Sequence, residues 1–157
     1  PINLQVIHIE EMVHALAIRL SERLDKNQVS LKINITPDDK VFSDRFMLEQ
    51  ILENLATNAI KFSNPGDEVE IGFRNDQSQT VLLIRDQGIG MTPQQIDQVF
   101  ERFYRADESR NFAVKGNGLG MAIVKRFADI LHLKINISSE PGAGTLLEVV
   151  FPSRDNS

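Results

Sequence analysis

Apolar residues recur along the chain in two distinct rhythms. Ile9, Val13, Leu16, Leu20 and Leu24 stand at helical spacing with charges between them, predicting one amphipathic helix over residues 9–24. Val29, Leu31, Ile33 and Ile35 alternate, the pattern of a half-buried strand. Thr36-Pro37-Asp38-Asp39 is a turn signal. Asp44 is a candidate N-cap for a second helix reaching to about Phe62, where Asn64-Pro65-Gly66 stops it. Val69, Ile71 and Phe73 alternate, and residues 80–85 form a denser apolar run. The two segments are expected to be neighbouring strands of a hairpin.

The rhythm then changes. Asp86-Gln87-Gly88-Ile89-Gly90 is a glycine-rich exit from a strand, and a helix is expected from about Pro93 to Tyr104, with Pro93 at its first position. Residues 106–118 carry little apolar content and predict a long loop. A third long helix is expected over residues 119–132. Ile135 and Ile137 start a strand, residues 141–144 turn, and Leu146 to Phe151 returns. With about five strands and three long helices, and hairpins rather than alternating βαβ units, the fold class is α+β, helices packed on one face of a mixed sheet.

At 157 residues the chain has the length of one domain, long enough to bury a core without staples. It has no cysteine, which excludes disulfides, thiolate metal sites and a cysteine nucleophile. With 3 histidines, a multi-histidine zinc site is not expected. A net charge of -5 lacks the basic footprint of a nucleic-acid binder. No apolar run reaches the ~20 residues of a membrane span, and no signal peptide opens the chain. It begins at Pro1 rather than Met, which points to a piece of a longer protein.

Five segments carry candidate chemistry. On a wheel of about 100° per residue, Leu48, Ile51, Leu52, Leu55, Ala59 and Phe62 share a core face. Asn54, Asn58 and Lys61 share its flank. They are either solvated surface polars or two amide oxygens for a hard cation and an ammonium for phosphate. Asp86, before Gly88 and Gly90, is either part of an ordinary turn or a carboxylate that accepts from an exocyclic amine beside closely approachable backbone. Gly116, Gly118 and Gly120 lead into a helix, whose free N–H groups and dipole favour an anion. Neither a P-loop nor a dinucleotide fingerprint fits their spacing, and a flexible hinge is the plain alternative. Phe100, Phe103 and Tyr104 form one aromatic face, an ordinary core stripe, yet Arg105 stands where it can reach a phosphate. Gly142-Ala143-Gly144-Thr145 alone is a hairpin turn.

Taken in order, these segments resemble the N, G1, F, G2 and G3 boxes of the sensor histidine kinases, over residues 44–151. The resemblance identifies the catalytic and ATP-binding domain of that family, within the GHKL ATPase superfamily. It implies a two-layer α/β sandwich (the Bergerat-type fold) filling residues 1–157 as a single domain, with an ATP lid at about 101–118. It implies Mg²⁺ on Asn58, Lys61 facing phosphate, and Asp86 on the adenine amino group, with Gly88 and Gly90 passing close to the base. Tyr104 and Arg105 match the lid's aromatic and phosphate contacts, Gly116, Gly118, Leu119 and Gly120 the phosphate loop, and Thr145 a residue near adenine. Asn54 stands where related ATPases carry a water-activating glutamate. A carboxamide is a poor base, which favours transfer to a protein side chain.

Gln87 and Met121 depart mildly from the commonest box residues. His8, His14 and His132 lack the acceptor's context and are read as ordinary helix residues, so the dimerisation and phosphoacceptor hairpin is expected to be absent. The implied activity is transfer of the γ-phosphoryl group from Mg·ATP to a histidine on that hairpin, for onward transfer to a response regulator aspartate. The isolated domain is expected to be a monomer, a cytoplasmic part of a sensor that is itself either membrane-bound or soluble. A GHKL ATPase, a serine-directed kinase of the same fold and a non-catalytic scaffold are the alternatives.

Overall fold

The computed structural model describes residues 1–76, 78–94 and 115–152. Within them the order is β1 (Leu4–His8), α1 (Ile9–Arg19), α2 (Ser21–Asn27), β2 (Ser30–Asn34), β3 (Lys40–Asp44), α3 (Arg45–Lys61), β4 (Glu68–Asn75), β5 (Thr80–Asp86), α4 (Lys115–Leu131), β6 (Lys134–Ser139) and β7 (Thr145–Val150). All five expected strands lie in one mixed sheet of order β2-β4-β5-β7-β6. Among the described residues only β2 and β4 pair in parallel, and the crossover between them carries α3 onto the sheet. The expected β4–β5 hairpin is present, with Asn75 opposite Thr80.

One face of the sheet is the core. Ile71, Leu82, Ile84, Leu147 and Val149 are buried there with Leu48, Ile51, Leu52, Leu55 and Ala59 of α3 and Met121, Val124 and Ala128 of α4. Each fully buried Leu or Ile contributes about 1.5–3 kcal/mol. Alternation sends Arg85 and Arg74 to the other face, where they pair with Glu70 (3.7 Å) and Glu148 (3.4 Å). That face meets water, so the architecture is the expected α+β arrangement with helices on one side.

Several expectations need correction. Residues 9–24 are two helices broken at Leu20, because the Ser21 hydroxyl donates to the Ile18 carbonyl (2.8 Å) and competes with the backbone ladder. Strands β1 and β3 form a separate antiparallel ribbon that the pattern did not reveal. Leu4 and Val6 of β1 are exposed while Ile7 is buried, so no clean alternation marks it. Phe62 is not core: it is 41% exposed, as the C-cap where the chain leaves α3. Helix α4 begins at Lys115, so residues 115–118 are helical rather than loop. The packed stretch beyond Gly120 propagates backward at a cost of only about 1 kcal/mol per glycine. Its end is capped by His132 in the left-handed region (φ 61°), with Leu133 N–H on the Ala128 carbonyl at 2.8 Å. His8 likewise is not helical, being the last residue of β1 and the N-cap of α1. Beyond Gln94, the helix expected to Tyr104 lies outside the described residues, as does most of the expected lid.

Candidate functional site

The site starts from the cap of α3. Asp44 accepts from Met47 N–H (3.0 Å) and Asn3 N–H (2.8 Å), and these donors hold its carboxyl below the usual 3.8. A cap of this kind contributes about 1 kcal/mol and fixes the helix register. Asn54, Asn58 and Lys61 then fall on one half-buried flank, as the wheel expects. The Asn54 amide donates to the Gln50 carbonyl at 2.7 Å. Its Oδ1 lies against α4, where a methyl on Gly120 would stand 2.8 Å from it. A side chain there would displace the Asn54 amide from its place at the crossing of α3 and α4. The Lys61 ammonium is pushed below the usual 10.5, first by burial and then by the charge of Arg23 on α2. Arg23 is a second positive group that no local pattern announces, because it arrives from another helix.

The other half of the site is the end of β5. Asp86 is 8% exposed and accepts from Gly88 N–H at 2.8 Å. Burial pushes its carboxyl above 3.8; the backbone N–H groups of Gly88 and Thr145 oppose that shift and the charge of Asp67 adds to it. Asp86 pairs with Thr145 on β7, and Thr145 pairs with Ser139 on β6. These three side chains form one row at the end of the core face.

Glycines let the surrounding backbone close in. A methyl on Gly88 would overlap the Phe62 carbonyl, so the strand exit presses on the end of α3 and brings Asp86 to the Asn58–Lys61 end of that helix. Gly144 (φ 83°) packs on the Asp86 carbonyl and Gly90 (φ 73°) on the Glu140 carbonyl. Gly142 N–H donates to the Ile89 carbonyl at 2.7 Å, and Gln87 Oε1 accepts from Glu68 N–H at 3.0 Å.

Asn54, Asn58, Lys61, Asp86, Gly88, Gly90, Gly120 and Thr145 are thus gathered where α3, α4 and the sheet end meet. The glycine run is placed differently from the expectation: Gly116 and Gly118 lie in the first turns of α4 rather than in a loop before it, while Leu119 is helical as expected. Tyr104 and Arg105 lie outside the described residues. Ser139 was missed. The available signal was a polar residue in step with Ile135 and Ile137, at the end of their buried-facing register.

The profile of the histidine kinase-, DNA gyrase B- and HSP90-like ATPase family matches residues 43–155. The histidine protein kinase SaeS of Staphylococcus aureus is 32% identical over 154 residues, 96% of this chain and 44% of SaeS. The chain therefore spans less than half the length of that relative. A mycobacterial sensor histidine kinase, MprB, superposes with a TM-score of 0.79 at 29% identity, over 97% of this chain and 99% of that one. Full-length ShkA in complex with AMPPNP superposes at 0.83 with 25% identity, over 97% of this chain and 31% of that one.

Proposed function

From the premise that this chain belongs to the histidine kinase-, DNA gyrase B- and HSP90-like ATPase family, we propose that it is the ATP-binding catalytic domain of a sensor histidine kinase. It takes Mg·ATP and passes the γ-phosphoryl group to a histidine on a separate dimerisation hairpin. A response regulator receiver domain is the next acceptor. One observation carries the reading: the buried Asp86 carboxylate at a strand end, opposite Thr145, in a frame where Gly88 and Gly144 leave no room for a side chain. A heterocycle with an exocyclic amine suits such an acceptor. The AMPPNP bound by ShkA supports the same ligand class.

The roles divide by chemistry. Asp86 accepts from the adenine amine, with Thr145 beside it. Lys61, its charge already disfavoured by burial and Arg23, gains from an anion and is placed for phosphate. The helix start at Gly116, Gly118 and Leu119 offers N–H groups and the positive end of the α4 dipole. Arg105 adds charge, and Tyr104 an aromatic contact. Asn58 and Asn54 supply neutral hard oxygens, and the space that a methyl on Gly120 would fill lies open beside Asn54 Oδ1, so the donor set fits Mg²⁺. When bound, the ion neutralises phosphate charge. Asn54 cannot take a proton from water, so the site positions and orients rather than activating a hydrolytic nucleophile.

Among the described residues no helix is long and apolar enough to cross a membrane. A cytoplasmic setting follows from where ATP is available.

The reading is tested with ATP labelled on the γ-phosphate and a separately prepared acceptor hairpin. Label that enters the hairpin only when this chain is present, survives base and is lost in acid is the expected result. Acid-stable label would move the assignment to a serine-directed kinase. ATP binding without any transfer would favour a scaffold.

A further inference from the structure

Ser139 ends β6, Thr145 begins β7, and the register sets them opposite each other, with Asp86 opposite Thr145 on the far side. Among the described residues the Ser139 hydroxyl oxygen has three partners. It accepts from Met91 N–H at 2.8 Å, and it lies 2.8 Å from the Gly144 carbonyl oxygen and 2.8 Å from Thr145 Oγ1. A carbonyl oxygen cannot donate, so the single Ser139 proton goes to Gly144. The remaining Ser139 lone pair is left for Thr145, which makes Thr145 the donor of the bond between them. Thr145 has one hydroxyl proton and Ser139 holds it. Only lone pairs remain for a bound molecule.

We propose that Ser139 is a specificity-determining positioning residue: by holding the Thr145 proton it makes Thr145 Oγ1 an acceptor beside the Asp86 carboxylate, a pairing that selects 6-amino over 6-oxo purines. The inference rests on the nucleotide reading above and adds to it the residue that sets the direction of the hydrogen bond. An exocyclic amine brings two N–H donors to two acceptors. A 6-oxo group would meet two oxygens with no proton between them, and leaving such groups unpaired is what polar sites reject most strongly. Without Ser139 the Thr145 hydroxyl rotates and can donate to the 6-oxo group. Ser139 also ties the Gly88–Met91 backbone to the β6–β7 turn, so a simple loss of binding would not separate positioning from scaffolding. The ratio between two bases does.

The test is calorimetric binding of ATP and of inosine triphosphate, both with Mg²⁺, to the wild-type chain, Ser139→Ala and Thr145→Val. Wild type is expected to favour ATP by at least about tenfold. Ser139→Ala should cut that preference roughly three- to tenfold through relatively tighter inosine triphosphate binding, and Thr145→Val should cut it similarly while leaving the Met91 and Gly144 bonds in place. A merely structural serine would weaken both nucleotides alike and leave the ratio unchanged, and that result overturns the proposal. If Ser139→Ala does not fold, an unchanged ratio in Thr145→Val overturns it equally. Wild type that binds neither nucleotide, or both alike, would remove the base-reading site itself and the proposal with it.

Discussion

Asp86→Asn is expected to weaken ATP binding about ten- to hundredfold while leaving the fold intact, because a hydrogen bond to a charged group is worth about 1.5–3 kcal/mol. The asparagine oxygen can still accept from Gly88 N–H, so the turn after β5 keeps its bond. The lost capacity is on the ligand side, where an amide N–H replaces an acceptor and faces an amine. Stability should move the other way. Burial raises the Asp86 carboxyl above 3.8, so the folded chain binds this proton more tightly than the unfolded chain does. Asp86 therefore stabilises the fold at acid pH, and that contribution is lost as pH rises through its raised value. At neutral pH the buried charge is a cost that asparagine does not carry, and thermal melts should show an unchanged or higher Tm. The nucleotide needs the ionised acceptor, so wild-type affinity should begin to fall, on acidification, at a pH higher than an ordinary aspartate would give. Calorimetry across a pH series should show that fall in wild type and its absence in Asp86→Asn. An Asp86→Asn chain that binds ATP as tightly as wild type would remove Asp86 from the base site.

Gly144→Ala is expected to destabilise the domain by about 3 kcal/mol or more, against about 1 kcal/mol for Gly142→Ala two residues away. Both glycines have a φ of 83°, so the conformational penalty is shared. Their surroundings differ. A methyl on Gly142 meets nothing within 4 Å, whereas one on Gly144 would overlap the Asp86 carbonyl and stand 2.9 Å from the Gln87 Cα. Those neighbours are backbone and cannot rotate away. The strand end that carries Asp86 has to shift, so nucleotide binding should fall with stability in Gly144→Ala and survive in Gly142→Ala. Urea denaturation of the pair, with ATP binding measured below the transition, checks both halves. Equal losses in the two variants would mean that the close approach at Gly144 does not hold the site.

The sequence was most legible where one physical signal dominates. Alternation located the five strands of the main sheet, and the Asp44 cap with the spacing of Leu48, Ile51, Leu52 and Leu55 located α3 and its flank. Legibility failed where tertiary context decides. Phe62 fits the wheel but falls one position beyond the helix. Ser21 breaks a helix whose apolar spacing runs on, and the β1–β3 ribbon is held by pairing between segments some 30 residues apart that a local pattern does not carry. The site divides the same way. Its motif residues were readable along the chain, but Ser139 and Arg23 act from other elements. The reason for the glycines is visible only in what packs against them, as Gly120 does against Asn54 and Gly88 against the Phe62 carbonyl.

The most direct test of the central claim is a calorimetric titration of ATP, with and without Mg²⁺, into the wild-type chain. The account predicts saturable one-site binding in the micromolar range, tighter with Mg²⁺ and selective for adenine. It also predicts no phosphate transferred to the chain itself, since His8 ends a strand and caps α1, His14 lies within α1 and His132 caps α4. No ATP binding in either condition would contradict it.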